Sequence, residues 1–310
     1  MDHAPVGKKL FAISLILSLA LLIATTIPHI LHQRTTIVFC NVGQGDGAYI
    51  RVENRMDIVI DAGPDKSILT CLGRYMPFFD RTIELAINTH PQKDHYYGFL
   101  YLIDRYRVQN LFLNPVQSTN QSFQQLLLKA KQKKVNLSFP TAPTQLKIRS
   151  ARLYFFWPPQ TITQTQLKDS NDASFIVTFE QNAVKTLFTG DAPQSVLQTL
   201  LGKSELKSDI LKIPHHGSKN GLTREFFALA DPTLSVISVG KRNSYGHPAK
   251  EILEMFEASK RKYFRTDRDG DVIITMERSK IHIKTQNGAE RRNGEKAPKF
   301  KHSEECCGFP

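Results

Sequence analysis

The sequence is poor in cysteine and has no cysteine pair spaced for metal binding. Its four cysteines are Cys40, Cys71, Cys306 and Cys307, and none of them forms a Cys-x-x-Cys pair. A zinc site built on sulfur is therefore not expected. Cys306 and Cys307 are adjacent, a spacing that strains a mutual disulfide. Four cysteines in 310 residues do not indicate a scaffold held together by disulfides.

The chain also lacks the composition of a disordered protein and any excess of acidic residues. Hydrophobic residues make up 41% and charged residues 23% of the sequence, an ordinary mixture for a globular protein. The 41 Lys and Arg residues outnumber the 29 Asp and Glu residues, for a formal net charge of +12. This balance favours nucleic acid, anionic lipid or phosphorylated substrates as partners, although solubility alone would also explain it.

No second long apolar run follows the one near the N-terminus. The segment from Leu10 to Ile27 carries no charge, and 18 to 22 helical residues span about 27–33 Å, the thickness of a bilayer core. The run is longer than the apolar part of a secretory signal, about 7–15 residues. We therefore predict an uncleaved signal anchor over residues 10–31. A cleaved signal and a buried core helix are the alternatives.

Charges on either side of this run predict how it is oriented. Lys8 and Lys9 precede the run and Arg34 follows it, so the positive-inside rule places residues 1–9 in the cytoplasm. The expected location is the bacterial inner (cytoplasmic) membrane, crossed once, with the following domain on the extracytoplasmic side.

The rest of the chain alternates short strands rich in Ile and Val with amphipathic helices. This pattern predicts an α/β domain over residues 35–285, with two mixed sheets and helices on their outer faces. The polar segment of mixed charge at residues 286–310 is predicted to be a disordered tail.

Metal-competent side chains are concentrated in loops that follow apolar strands. Three such loops combine His, Asp and Gly, and a fourth precedes a helix; they are Asn88–His95, Leu187–Asp191, Leu211–Ser218 and Asn243–Pro248. Histidine nitrogens and carboxylate oxygens suit zinc, manganese or iron. Their repeated occurrence at strand ends favours one shared metal site, with structural histidines and ordinary turns as the alternative.

The order of these motifs resembles that of a known superfamily. His90-x-x-x-Asp94-His95, then Gly190-Asp191, then His215-His216-Gly217-Ser218 resembles the metallo-β-lactamase superfamily. Segments 41–47, 60–63, 170–174, 245–248 and 265–270 make the chain similar to the hydrolase domain of the ComEC competence family. The resemblance implies an αβ/βα sandwich and a metal-dependent hydrolase, most simply a nuclease that acts on DNA during competence-type uptake through a metal-activated water.

The resemblance also implies roles for individual residues. The implied metal ligands are His90, Asp94, His95, Asp191 and one of His215 and His216. The implied catalytic residues are Asp94, Asp191 and His247, with Asp191 bridging if two metals bind. The implied substrate contacts are Gln44, Asp46, Lys93, Ser218 and Lys219. Asp61 would orient the ligand loop.

Two departures from the superfamily pattern affect the expected metal content. Gln92 stands where a second histidine is usual, and no histidine occurs between residues 96 and 190. We therefore expect one tight site for Zn or Mn and a second, weak site.

Basic clusters provide the expected contact with DNA. These clusters are Lys129, Lys131, Lys133 and Lys134, and Lys260, Arg261, Lys262, Arg265 and Arg268. ComEC proteins that move DNA have many membrane spans, so this chain would need a separate channel subunit. Its oligomeric state stays open. The alternatives are hydrolysis of another ester, phosphoester or lactam, and a non-catalytic DNA-binding domain with a degraded metal site.

Overall fold

The computed structural model describes residues 10–21, 34–116, 118–162, 167, 169–277 and 280–288. Residues 10–21 form a helix, α1. Within the described ranges, no helix combines the length and the apolar character needed to cross a membrane. Residues 22–31 of the predicted anchor, the predicted cytoplasmic segment 1–9 and the predicted tail from residue 289 onward lie outside the described residues.

Strands and helices alternate along the described part of the domain. The strands are β1 Arg34–Phe39, β2 Gly47–Val52, β3 Met56–Ala62, β4 Thr82–Ile87, β5 Arg107–Phe112, β6 Asn136–Ser138, β7 Thr144–Ile148, β8 Ala151–Trp157, β9 Ile176–Gln181, β10 Val184–Phe188, β11 Ile210–Lys212, β12 Leu234–Ile237, β13 Lys262–Arg265, β14 Val272–Glu277 and β15 Lys280–Thr285. The helices after α1 are α2 Ser67–Tyr75, α3 Lys93–Tyr96, α4 Phe99–Arg105, α5 Gln121–Gln132, α6 Gln194–Gln198, α7 Arg224–Ala230, α8 Lys250–Ser259 and α9 Thr266–Asp269.

The strands form two mixed sheets, as the sequence predicts. One sheet has the order β15-β14-β1-β2-β3-β4-β5-β6 and the other has the order β13-β12-β11-β10-β9-β8-β7. The run β3-β4-β5-β6 is parallel in the first sheet, and β10-β11-β12-β13 is parallel in the second. The carboxyl ends of parallel strands share one edge of a sheet, so loops after these strands are brought together there.

Alternation along the strands separates two kinds of packing. In β1, Ile37 and Phe39 face the core between the sheets, whereas Val38 faces the helices on the outer side. This is the period of two expected for a strand that is buried on both faces. The helices α2, α4 and α5 cover the outer face of the first sheet, and α6, α7 and α8 cover that of the second. The predicted helix–sheet–sheet–helix arrangement is confirmed.

Most of the elements that the sequence patterns did not reveal are short. The strands β6, β7 and β13 and the helices α3, α7 and α9 were not predicted. β6 has three residues, none of them fully buried, and most of β7 alternates half-buried with exposed residues. Neither β6 nor β7 carries the apolar run that predicts a buried strand.

A disulfide joins Cys40 to Cys71, a pair that the cysteine count gave no reason to expect. The Cα atoms are 5.8 Å apart and both cysteines are buried. Cys40 directly follows β1 and Cys71 lies in α2, so the bond fixes the loop that leads from β1 to Gly47 against the first sheet's helix layer.

Loss of this disulfide is expected to destabilise the domain by about 3–4 kcal/mol, the chain-entropy estimate for a loop of this length. The two cysteines are 31 residues apart. We expect the Cys71→Ser chain to unfold at a correspondingly lower urea concentration than the unsubstituted chain. The matched control is Cys307→Ser, which leaves the Cys40–Cys71 bond intact. Equal urea midpoints for the two variants would contradict the prediction.

Candidate metal centre

Side chains from both sheets meet at the edge where the parallel strands end. Asp61 ends β3, Asp94 and His95 follow β4, Asp191 follows β10 and His216 follows β11. All of these except Asp94 are fully buried. The position agrees with the loops that the sequence predicts as metal-binding.

Four of these residues present ligand atoms to a common point. Asp94, His95, Asp191 and His216 each offer one atom, and the four atoms lie within 4.8 Å of one another. The Asp191 Oδ2 atom is 3.3 Å from the His95 Nε2 atom and 3.4 Å from the His216 Nε2 atom. The His216 Nε2 atom is also 3.2 Å from Asp94 Oδ2. Two imidazoles and two carboxylates form a set that suits Zn or Mn.

Hydrogen bonds from behind orient both histidines. The His95 Nδ1 atom lies 2.9 Å from the Asp61 Oδ2 atom, and the His216 Nδ1 atom lies 3.0 Å from the Ser238 carbonyl oxygen. With Nδ1–H donating in each ring, the Nε2 lone pairs point to the shared centre, the arrangement found around metal-ligating histidines. The structure therefore places His216, rather than His215, in the cluster of residues that could hold a metal.

Asp61 is held at the end of β3 in an unusual backbone conformation. Its φ angle is 55°, and its carboxylate also accepts hydrogen bonds from the Thr89 N–H and hydroxyl groups at 2.8 and 2.7 Å and from the Asn88 amide at 3.2 Å. Aspartate tolerates the left-handed region better than most residues do. These contacts agree with the role that the resemblance implies for Asp61, which is to support the ligand loop.

Replacing Asp61 with asparagine is expected to weaken metal binding about 10- to 100-fold, the usual cost of losing a partner that orients a ligand. Asparagine keeps the size of the side chain. It has one acceptor oxygen where the carboxylate has two, so it cannot accept all four hydrogen bonds. Metal titration by calorimetry measures the effect. The exposed Glu205 provides a control of the same chemistry, and Glu205→Gln should bind metal with unchanged affinity. An Asp61→Asn chain that binds metal as tightly as this control would refute the role.

Lys212 lies among the carboxylates of the candidate site and was not predicted from the sequence. Its side chain is only 4% exposed, and the ammonium contacts Asp46, lies 3.0 Å from the Gly190 carbonyl oxygen and lies 3.8 Å from Asp191 Oδ1. A buried lysine in β11 places a fixed positive charge among the carboxylates. A lysine within an apolar strand, immediately before the His-containing loop, is the sequence feature that could have revealed it.

Asp46 lies behind the ligands rather than on the substrate side where the sequence analysis placed it. Its carboxylate is buried, with Oδ1 3.3 Å from His216 Nδ1. The loop reaches this depth because Gly45 has φ of 148° and a Cβ atom there would lie 2.2 Å from the Asp94 carbonyl oxygen. Only glycine permits that approach, which lets the Asp46 N–H donate to the same oxygen at 3.2 Å.

Charges at the centre compensate one another in part. Burial alone would raise the pKa of Asp191, but His216 and His95 outweigh it and hold that pKa well below its ordinary value. Burial likewise raises the pKa of Asp46, and Lys212 followed by His216 and His95 lowers it overall. The reverse holds for His95 and His216: burial lowers their pKa values, but Asp191 and the other carboxylates around each ring together raise them well above the ordinary value.

Unpartnered buried atoms show that the residues fit a bound metal. The His95 Nε2 and Asp191 Oδ1 atoms are inaccessible to solvent and have no hydrogen-bond partner among the described residues. A buried polar atom without a partner costs about 1–3 kcal/mol, and a cation at the shared centre would coordinate the His95 nitrogen directly. The donor set fits one divalent cation bound by Asp94, His95, Asp191 and His216.

The residues predicted for a second metal site are less well placed. The His90 Nε2 atom is buried without a partner, and burial together with His95 lowers the pKa of His90 to about 3. His90 is not part of the four-residue cluster. The Gln92 amide donates instead to Asp169 Oδ1 at 3.2 Å and to Ser170 Oγ at 3.1 Å. His90 and Gln92 therefore lie outside the four-residue cluster, and a second, weak site stays a prediction.

His215 and His247 border the centre on its exposed side. The His215 Nε2 atom is 3.9 Å from Asp191 Oδ2 and the side chain is 29% exposed. The His247 ring lies 6.0 Å from the His215 ring and stacks on Tyr245. Burial, with smaller contributions from His216 and His215, lowers the pKa of His247. Both rings are placed to contact a substrate that approaches the metal ligands.

The other predicted substrate contacts are distributed around this opening. Lys93 and Lys219 are exposed, and the Lys93 ammonium lies 4.7 Å from the centre of the Tyr97 ring. Gln44 accepts a hydrogen bond from the Gly240 N–H at 3.0 Å. Ser218 is buried, and its hydroxyl accepts from the Asn220 N–H at 3.3 Å. Gln44 and Ser218 thus contribute to loop structure, and their contact with a substrate stays a prediction.

The two basic clusters differ in how far they are neutralised. In the second cluster Arg261 pairs with Asp231 at 2.6 Å and Arg265 pairs with Asp267 at 2.7 Å, and Arg268 is 3.1 Å from Asp269. In the first cluster Lys129 contacts Asp104. The other three, Lys131, Lys133 and Lys134, are exposed and make no ion pair within the described part of the chain.

The chain is similar in sequence to parts of longer competence proteins. It is 24% identical over 250 residues to ComE operon protein 3 of Bacillus subtilis, covering 75% of this chain and 32% of that protein. It is 31% identical over 115 residues to Competence protein ComA of Neisseria gonorrhoeae, covering 36% of this chain and 17% of that protein. The chain thus spans about a third or less of these curated relatives. No family model matches the chain.

Solved structures of similar shape come from several kinds of protein. The metallo-β-lactamase fold protein YhfI of Bacillus subtilis matches 78% of this chain and 99% of its own, with a TM-score of 0.54 and 11% identity. CmlA, a diiron β-hydroxylase from Streptomyces venezuelae, matches 78% of this chain and 54% of its own, with a TM-score of 0.51 and 12% identity. At these identities the likeness is one of fold.

Proposed function

The chain has the metallo-β-lactamase fold and resembles the ComEC competence proteins, and on that premise we propose that it is a metal-dependent nuclease that acts on DNA during uptake. The observation that carries the proposal is the convergence of Asp94, His95, Asp191 and His216 on one point within 4.8 Å. The bound ion is Zn or Mn, held by these four residues in one tight site.

The chemistry follows from what such a centre supplies and what the chain adds. A divalent metal lowers the pKa of a coordinated water to about 7, which makes a nucleophile available at neutral pH. Asp61 and Ser238 keep the two ligand histidines in position. His247 and His215, at the open side, contact the phosphate or the leaving group. No serine or cysteine nucleophile is required, and Ser218 is engaged within its loop.

Charge on the surface supports a nucleic-acid substrate. The N-terminal end of α5 contacts the ligand segment through Tyr96, whose hydroxyl lies 2.6 Å from Ser122 Oγ. Lys129 and Lys131 lie about 10 and 14 Å from Ser122 along the helix axis, and Lys133 and Lys134 directly follow the last residue of α5. Cations spaced along such a path neutralise successive phosphates of a DNA backbone.

We place the enzyme on the extracytoplasmic side of the inner membrane, anchored by residues 10–31. The disulfide between Cys40 and Cys71 supports this location, because disulfides persist in oxidising compartments and are rare in the cytosol. A separate subunit would provide the DNA channel.

A nuclease assay of the full chain tests the proposed activity. Single-stranded DNA is incubated with the chain and Mn or Zn, and the products are separated by length and end group. Metal-dependent cleavage that is lost in the Asp191→Ala chain is the expected result. We also expect DNA binding that falls steeply with salt, because lysines release counterions from the DNA backbone.

Two outcomes would contradict the proposal. A metal-loaded chain that leaves DNA intact but hydrolyses a small phosphoester, carboxylic ester or lactam would be a hydrolase of that small substrate and not a nuclease. A metal-free chain that binds DNA would replace it with a non-catalytic domain.

A further inference from the structure

Two adjacent phenylalanines project from the domain next to arginines. Phe78 is 85% exposed and Phe79 is 74% exposed, and their rings contact edge to face at 5.4 Å. Arg34 and Arg55 are exposed nearby and make no ion pair within the described residues. We refer to Arg34, Arg55, Phe78 and Phe79 as the basic aromatic face. An exposed aromatic pair beside unneutralised cations is typical of an interaction surface rather than of a solvated loop.

The basic aromatic face borders a surface pocket of about 600 Å³. Arg34, Arg55 and Phe79 line it together with Tyr75 and Pro77. Arg51, which also lines the pocket, is neutralised by Asp57 at 2.6 Å and by Asp80 at 3.1 Å. The pocket therefore offers an apolar wall beside two cations that are available to an anionic group.

The place of this face in the sheet fixes its distance from the metal centre. Arg34 begins β1, and Arg55 lies in the turn between β2 and β3. The Asn54 N–H donates to the Arg34 carbonyl oxygen at 2.9 Å, which closes this end of the sheet. Asp61 lies near the opposite end of β3, and Asp46 lies in the loop between β1 and β2 at that same end. A strand of six residues is about 20 Å long, so the face and the metal centre lie at opposite edges of the domain.

The chain enters the domain at this same face. The predicted anchor ends at residue 31 and β1 begins at Arg34, and three residues span at most about 11 Å. Wherever the anchor leaves the bilayer, Arg34 is held within that distance of the lipid headgroups. A single-stranded nucleic acid could stack on exposed aromatic rings too, but the chain length on this side places lipid, and not incoming DNA, next to Phe78 and Phe79.

We propose that the basic aromatic face docks on the surface of an anionic bilayer beside the anchor, an inference that rests on the anchored location proposed above. Phe78 and Phe79 enter the boundary between headgroups and acyl chains, and Arg34 and Arg55 pair with lipid phosphates. Docking turns the opposite edge of the domain, with Asp191 and His216, away from the membrane. The metal centre then faces a substrate that arrives from outside.

Tryptophan fluorescence in bilayers tests the docking, because the chain has one native tryptophan, Trp157. The full chain with Phe79→Trp is reconstituted into phosphatidylglycerol vesicles whose acyl chains carry bromine, a quencher that acts at short range. The matched control is Phe139→Trp, since Phe139 is 48% exposed and follows β6 at the far edge of the first sheet. We expect the tryptophan at position 79 to lose at least half of its emission and the one at position 139 to keep its emission, after subtraction of the Trp157 signal.

Charge removal and extraction separate the possible failures. Phosphatidylcholine vesicles, or Arg55→Gln in phosphatidylglycerol vesicles, should reduce the quenching at position 79, whereas Arg224→Gln at the exposed start of α7 should not. Equal quenching at positions 79 and 139 overturns the docking. Alkaline carbonate extraction of the same vesicles tests the anchor by itself: a chain that stays with the membrane while position 79 is unquenched retains the anchor and loses the docking. Quenching at position 79 that single-stranded DNA abolishes by competition would assign the face to nucleic acid and also overturn it.

Discussion

The Asp191→Ala chain is expected to lose both its bound metal and its hydrolase activity. Asp191 lies at the middle of the ligand set, within 3.4 Å of the Nε2 atoms of both His95 and His216. Its removal leaves two imidazoles and Asp94, whose side chain is 30% exposed. We expect the metal affinity to fall by more than about 100-fold, the upper end of what loss of a mere supporting partner costs. Elemental analysis of the purified chain and the rate of DNA cleavage measure the two losses.

A control variant separates this effect from unfolding. Glu205 is an exposed acidic residue, and its substitution by alanine should leave metal content and cleavage unchanged. Asp191→Ala removes one of several carboxylates packed around Lys212 and is expected to keep the circular dichroism spectrum of the unsubstituted chain. A folded Asp191→Ala chain with one equivalent of metal would remove Asp191 from the ligand set.

The sequence predicts the features that depend on a local pattern of residue types along the chain. Apolar strands followed by His- and Asp-containing loops predicted both the two sheets and the edge at which the ligands meet, because the carboxyl ends of parallel strands share an edge. Asp94, His95 and Asp191 come together at this edge for the same reason, and their role as metal ligands stays a prediction.

Other features depend on contacts that no local pattern records. The choice between His215 and His216 is made by the Ser238 carbonyl oxygen, 22 residues further along the chain, which fixes the ring of His216 alone. Both histidines have positive φ, 51° and 54°, so their directions do not follow the alternation of a strand. Cys40 and Cys71 are brought together only by the packing of α2 on β1. Lys212 was missed because a lysine in a strand is normally an exposed residue.

Loss of the Lys212 ammonium is expected to lower the free energy of unfolding. The ammonium contacts Asp46 and compensates part of the negative charge of the buried carboxylates. Removing one partner of a buried ion pair costs about 3–5 kcal/mol because the other charge remains buried and uncompensated. We therefore expect the metal-free Lys212→Met chain to unfold with a free energy lower by that amount, measured with urea. The matched control is Lys185→Met, at a half-exposed position in the neighbouring strand β10, which should change the free energy of unfolding by less than about 0.5 kcal/mol.

The double variant Asp46→Asn/Lys212→Met identifies the cause of that loss. It removes both charges, so it should recover most of the stability that Lys212→Met loses, as expected for coupled neighbours.

The contribution of Lys212 to the free energy of unfolding is expected to depend on pH. Burial raises the pKa of Asp46, but Lys212, His216 and His95 together lower it below its ordinary value. The lysine therefore helps to stabilise the ionised carboxylate. Its contribution is present above the unfolded aspartate pKa of about 3.9 and is lost as the pH falls through the lower pKa of Asp46 in the folded chain. A Lys212→Met deficit that persists undiminished at low pH, or that the second substitution does not relieve, would show that Lys212 acts through packing and not as the counter-charge of Asp46.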